Sequence, residues 1–278
     1  MRLKRNTFSQ FPRYLFYFVA TAVLILPFYW MLSTSFKTDN EIFTYPIRWL
    51  PSQFFLGNYE RALEIMPVPR YMFNTAFIAI LKIAGEVIVS ALVAYGFARH
   101  DFKFKQLIFG ILLATMMLPY EVTMIPTFIM WTALGFSDSY VPLILPAYFG
   151  SASFIFFLRM YYSTYSKDME EAMFIDGANR VQVFTRLYLP LSKAALITIG
   201  IWSFMGTWND LLGQLIYIND ESKYTVQLGL ASFSNMTGET LWGPLMAASV
   251  LVLLPILVIF LFLQRYFVDG IRVGSIKG

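Results

Sequence analysis

Apolar residues run through this chain in stretches long enough to cross a bilayer, each bounded by charge. A spanning helix needs about 20 mostly apolar residues. Six stretches meet that length: Tyr14 to Phe36, Tyr71 to Ala98, Gln106 to Trp131, Tyr140 to Tyr161, Ala194 to Ile218 and Trp242 to Gln264. Pro27, Pro119, Pro126, Pro142, Pro146 and Pro255 interrupt several of them. Proline is tolerated in membrane helices where neighbouring helices satisfy the freed carbonyls, so the pattern predicts packed, bent helices rather than straight rods in lipid. The expected fold class is an all-α integral membrane protein with six transmembrane helices.

The first stretch has a basic start, with Arg2, Lys4, Arg5 and Arg13, as a secretory signal does. Its apolar part exceeds the roughly 7–15 residues of a cleavable core and ends in Trp30 and Met31 rather than in small residues. It reads as a retained first span. Lys and Arg set the orientation, because positive loops stay in the cytoplasm. The N-terminus, the turn Arg99 to Lys105, the segment Arg159 to Lys193 and the tail from Arg265 carry most of the basic residues and fall on one side. Lys37, Arg48, Arg61, Arg70 and Lys223 fall on the other. Both termini are therefore expected in the cytoplasm of a multi-pass membrane protein.

Composition sharpens this picture. Hydrophobic residues make up 58% and charged residues 14% of 278, against roughly 45–50% and about 25% in soluble proteins. Such a surface suits lipid, not water. With no cysteine and one histidine, His100, thiolate chemistry, Cys-ligated clusters and a His-rich metal site are excluded, and no metal site is expected. No G-x-x-x-x-G-K-[ST] loop occurs, so the chain has no P-loop nucleotide site of its own. The net charge of +4 reads as membrane orientation, and nucleic-acid binding is not expected.

The stretch between the fourth and fifth spans, 162–193, is different in kind. Ser166 can cap a helix whose first turn holds Asp168, Glu170 and Glu171, favourable at the positive dipole end. Gly177 supplies a left-handed stop, and a second short helix, Asn179 to Tyr188, runs into Pro190. Two short helices bent at a glycine make a protruding docking element, with Met173, Phe174 and Ile175 near the bend to fill a partner's groove.

Glu171-Ala172-Met173, Gly177 six positions after Glu171, and Leu187-x-Leu189-Pro190 resemble the E-A-A-x-x-x-G-x9-I-x-L-P cytoplasmic loop of ABC importer permeases. Met173 stands where the second Ala is usual and Leu187 where Ile is usual. Met117-Leu-Pro-Tyr-Glu121-Val-Thr-Met-Ile-Pro126, Thr207-Trp208-Asn209-Asp210, Trp242-Gly-Pro-Leu-Met-Ala-Ala-Ser and the tail Gln264 to Gly278 are similar to carbohydrate-type permeases, specifically the maltose-type second permease subunit. The resemblance implies a type I ABC importer fold. It implies a second homologous permease, two cytoplasmic ATPase subunits that bind ATP and Mg, an external solute-binding protein, and a sugar, an oligosaccharide by this resemblance. The chain itself would be a transport subunit, not an enzyme, with no cofactor and no catalytic residue. Glu170, Glu171, Ala172, Met173, Phe174, Ile175, Asp176, Gly177, Ala178, Leu189 and Pro190 would couple it to the ATPase, and Gly270, Gly274, Lys277 and Gly278 would form tail contacts. The expected organisation is 1–70 for the first span and external loop, 71–264 for the transmembrane core, and 265–278 for a cytoplasmic tail whose glycines permit an extended backbone.

Candidate pathway residues are Lys82, Glu86, Glu121, Trp208, Asn209 and Asp210. A charge in mid-span costs about 2.5–3.5 kcal/mol on insertion scales. Lys82 and Glu86, spaced i, i+4, can neutralise each other as a structural pair; the other reading gives them a pathway or gate role. Trp208, Asn209 and Asp210 offer an aromatic face and polar edges that suit a sugar, or serve as interhelical glue. Glu121, between Pro119 and Pro126, reads more readily as an interfacial carboxylate reaching water. His100 reads as a solvated loop histidine. The alternative function is a stand-alone secondary carrier using Lys82, Glu86 and Asp210, although no internal repeat is visible. A membrane hydrolase or transferase lacks any nucleophile-base or paired-carboxylate motif.

Overall fold

The computed structural model describes residues 11–234 and 240–273. Among them the chain is helical almost throughout, with a single isolated bridge, Ser234 to Thr240, and no strand. Residues up to Val68 together with Gly229–Pro255 form one compact unit, and Pro69–Leu228 with the chain from Ile256 form another.

In the first unit, helix α1 (Phe11–Ser35) is the first apolar stretch and carries Pro27. It is followed by a loop and helix α2 (Gly57–Ile65). Polar groups tie this loop down. Buried Asn58 donates to the carbonyls of Ser35 at 3.0 Å and Lys37 at 2.7 Å. Lys37 is also buried, with its Nζ 4.0 Å from the Trp30 ring and donating to the Arg48 carbonyl at 2.6 Å. Burial lowers its pKa, since loss of water disfavours the charged form.

The second unit holds most of the remaining helices. Helix α3 (Val68–Arg99) covers the second apolar stretch. The third stretch is not one helix: α4 (Lys105–Thr115) and α5 (Tyr120–Ala133) meet at 94°. Pro119 explains the break, since it lacks an N–H and its own ψ of 143° is extended. The fourth stretch begins as two short turns, Val141–Ile144 and Leu145–Phe149, passes Gly150 at φ +82°, and continues as α6 (Ala152–Ser163).

Helix α7 (Lys167–Ile175) follows, and then α8 (Arg180–Leu191), whose middle turn, Phe184–Tyr188, is a π-helix. The second short helix, expected over Asn179 to Tyr188, has Asn179 as its cap and runs past Pro190 instead of stopping before it. Widening the turn ahead of Pro190 relieves the clash of its ring with a carbonyl four residues back. Helix α9 (Lys193–Trp208) leaves α8 at 76°. The fifth stretch, expected to reach Ile218 unbroken, ends at Trp208 and resumes as α10 (Leu212–Tyr217).

The last helix, α11 (Trp242–Val273), outruns the predicted span end at Gln264. Gly270 therefore lies in helical backbone rather than in an extended tail, because one interior glycine costs only about 1 kcal/mol, too little to stop a long helix. Gly274, Lys277 and Gly278 lie outside the described residues. Among the described residues four helices are long and apolar enough to cross a membrane, and up to six spans result if each bent pair counts as one. The core of the second unit gathers Ala91, Tyr95, Leu158, Tyr162, Val183, Tyr188 and Ile199, so that α3, α6, α8 and α9 converge beside the 162–193 segment.

Candidate coupling segment and translocation cavity

The bend at Gly177 is built by its own local chemistry. Ser166 Oγ accepts the Asp168 amide at 3.2 Å and starts α7. At its end Gly177 has φ +85°, its amide donates to the Phe174 carbonyl at 3.0 Å, and the Ala178 amide donates to Met173 at 2.9 Å. This paired arrangement is a Schellman stop, which needs a left-handed residue at that position. Asn179 and Gln182 then cap α8 reciprocally, at 2.9 and 2.8 Å.

Two faces follow. Glu171, Ala172, Phe174, Ile175, Asp176 and Gly177 are exposed, Ile175 at 86%. Met173, Ala178 and Leu189 pack against the core, and Pro190 is exposed. Glu170, grouped in the sequence reading with the docking residues, is instead buried at 8% exposure. It accepts hydrogen bonds from Tyr95 at 3.3 Å and Tyr188 at 3.2 Å and pairs with Arg99 at 3.7 Å. His100 is half-buried, edge-on to Tyr95 with centroids 5.1 Å apart, and lies beside Arg99, Lys167 and Arg180.

A cavity of about 590 Å³ opens between α3, α5, α9, α10 and the turns ahead of α6. Lys82, Glu86 and Asp210 all line it. The expected Lys82–Glu86 pair is not formed: among the described residues neither side chain makes an ion pair or hydrogen bond, and both line the cavity. Asp210 accepts the Gly213 amide at 2.9 Å in the first turn of α10, and a Cβ on Gly213 would collide with its carboxylate.

Three candidate pathway residues are not brought there. Trp208 is buried with an unpartnered indole N–H, Asn209 bonds back to the Met205 carbonyl at 2.9 Å, and Glu121 is exposed at the start of α5. The sequence reading missed Tyr120, Thr123, Thr127 and Trp131, which line the cavity from α5. Their signal was present: these positions recur every three or four residues in a mostly apolar segment, one helical face. Tyr217 and Gln214 complete the wall, Tyr217 donating to Thr127 at 3.4 Å and Gln214 to the Thr207 carbonyl at 3.2 Å.

Beyond the cavity, the loop after α5 is clasped to the one after α10. Asp138 accepts the amides of Asn219 at 2.9 Å and Asp220 at 3.0 Å and pairs with Lys223 at 2.5 Å. The Asp220 amide and the Lys223 side chain hold the Asp138 carboxyl down to about 2.

Residues 86–273 match the family model described as the binding-protein-dependent transport system inner membrane component. The chain belongs to this family. A probable ABC transporter permease protein of Bacillus subtilis is 34% identical over 95% of this chain and 88% of the relative. The trehalose/maltose transport system permease protein of Thermococcus litoralis is 33% identical over 92% of each. The diacetylchitobiose uptake system permease protein of Streptomyces coelicolor is 31% identical, again over 92% of each. A solved chain from a bacterial ABC transporter that imports the acidic polysaccharide alginate superposes with a TM-score of 0.81 over 96% of this chain and 99% of that one, at 20% identity. That likeness carries the fold, an ABC importer permease of the type I kind. This inner membrane component is a transport subunit rather than an enzyme, and members of the family in general work with a second permease, ATPases and a solute-binding protein. Nothing here supports a stand-alone secondary carrier. Among the described residues no cluster of His, Cys, Asp or Glu could hold a metal ion.

Proposed function

We propose that this permease carries a sugar, an oligosaccharide on the pattern of its relatives, through a pathway of which the cavity around Lys82, Glu86 and Asp210 is one wall. Its partners are a second homologous permease, two ATPases that supply ATP and Mg chemistry, and an external binding protein. Both termini and the 162–193 segment face the ATPases in the cytoplasm, in keeping with the basic residues on that side. The 71–264 core carries the pathway, and Gly270, Gly274, Lys277 and Gly278 approach the ATPase from the tail.

One observation carries this reading. The Gly177 bend exposes Phe174 and Ile175 beside Glu171, an apolar knob with an acidic flank, on a segment whose other face is fixed to the core. Such a knob needs a groove on a partner, and nucleotide-driven closure of an ATPase pair would move it as a rigid body. Co-purification tests it. Ile175→Glu is expected to insert normally and to lose the ATPase from the complex. Undiminished ATPase recovery with normal uptake would refute the docking role.

A further inference from the structure

The outward face of α7 is apolar at Phe174 and Ile175, while its inward face carries a buried acid, Glu170. Lys167, Asp168 and Glu171 are exposed as a surface helix requires, so the inward carboxylate of Glu170 is the exception. A buried carboxylate is costly unless it is paired and hydrogen-bonded. Glu170 meets both conditions with groups from two other helices. Tyr95 and Arg99 lie four apart on one face of α3, and Tyr188 lies on the π-turn of α8. Arg99 also donates to the Tyr165 carbonyl at 2.6 Å, just ahead of α7, and lies 5.2 Å from the Tyr188 ring.

We propose that Glu170 is a positioning residue that latches the docking bend to α3, so that α7, α8 and α3 move as one body. Apolar contacts let helices slide, whereas two tyrosine hydroxyls and a guanidinium converging on one carboxylate fix a register. The other end of the latch is the cavity. Glu86 lies thirteen residues before Arg99 on the same helix, about 20 Å away at 1.5 Å per residue, and no proline intervenes. Displacement of the bend is thereby delivered to Lys82 and Glu86. The latch rests on the docking reading above, and the test separates the two.

The chain has no cysteine, so spin labels can be placed at Asp168→Cys on α7 and Ile80→Cys on α3, in a complete complex with thiol-free partners. With Glu170 present, the label distance is expected to stay constant to within about 2 Å between nucleotide-free and ATP-trapped states, less than a helix-turn shift. In Glu170→Gln the distance should change between states. Stimulation of ATPase activity by the binding protein should fall about tenfold, within the roughly 5–150-fold span of such couplings, while basal activity and ATPase recovery are kept. A label distance that changes by about 5 Å or more in the Glu170 complex, or full stimulation in Glu170→Gln, would overturn the latch. If Glu170→Gln fails to assemble, the distance in the Glu170 complex decides, with Tyr95→Phe as the milder variant expected to lower stimulation. Absence of a cross-link between Ile175→Cys and the ATPase would sink the docking reading instead, whatever the label distance.

Discussion

Gly177 has φ +85°, and a Cβ there would meet nothing within 4 Å. A substitution therefore acts through the backbone alone, at roughly 1–2 kcal/mol for an ordinary residue, with Asn tolerated better. Gly177→Val is expected to insert normally yet to lower ATPase recovery several-fold, with Gly177→Asn between it and the parent chain, as read by co-purification. Lys82 and Glu86 give a second test. Since they do not pair, Lys82→Met and Glu86→Gln should change uptake independently, and the double variant should show the product of the two effects. A double variant better than either single would restore the structural pair. Asp138 gives a third. A carboxyl depressed to about 2 contributes stability that is complete above its unfolded value near 3.8 and is lost as pH falls toward 2. Thermal unfolding of Asp138→Asn should thus be lowered at pH 7, with the difference shrinking below about pH 4. At this scale the Ser166 cap and the Gly177 stop were legible, because capping is local in sequence. The inward turn of Glu170 was not, because its partners Tyr95 and Tyr188 are 75 and 18 residues away.

Helix α5 shows what a pattern reveals and what it hides. Its apolar composition announced a span, and Pro119 announced a bend, but the 94° angle to α4 is set by packing that no local rule supplies. The stripe of Tyr120, Thr123, Thr127 and Trp131 was readable as one helical face, and composition alone masked it. This face yields an element-level prediction. Single cysteines at Thr123 and Thr127 should react with a membrane-impermeant thiol reagent, because these positions line the cavity. Cysteines at Ile125 and Ile129, which are exposed away from it, should be protected by lipid. Equal labelling of both sets would mean that the cavity is not water-filled. The fifth span likewise hid its break, since Asn209 and Asp210 were read for their sugar-binding chemistry. Their side-chain bonds, Asn209 back to Met205 and Asp210 forward to Gly213, lie at the end of α9 and the start of α10.

For the whole molecule, the fold class and family were legible because long apolar runs, charge asymmetry and the glycine-centred segment are all written along the chain. The cavity was legible only in part: Lys82, Glu86 and Asp210 stand out as charges in apolar runs, whereas Gln214 and Tyr217 acquire a role only when α10 is folded against α5. The central claim is that transport through this permease is driven by ATP through the 167–178 segment. Reconstitution of the complete complex in proteoliposomes, with labelled oligosaccharide and binding protein on one face and ATP on the other, tests it most directly. The account predicts uptake that requires both ATP and binding protein and that is lost in Ile175→Glu. Uptake driven by a proton or sodium gradient with no ATP present would contradict it.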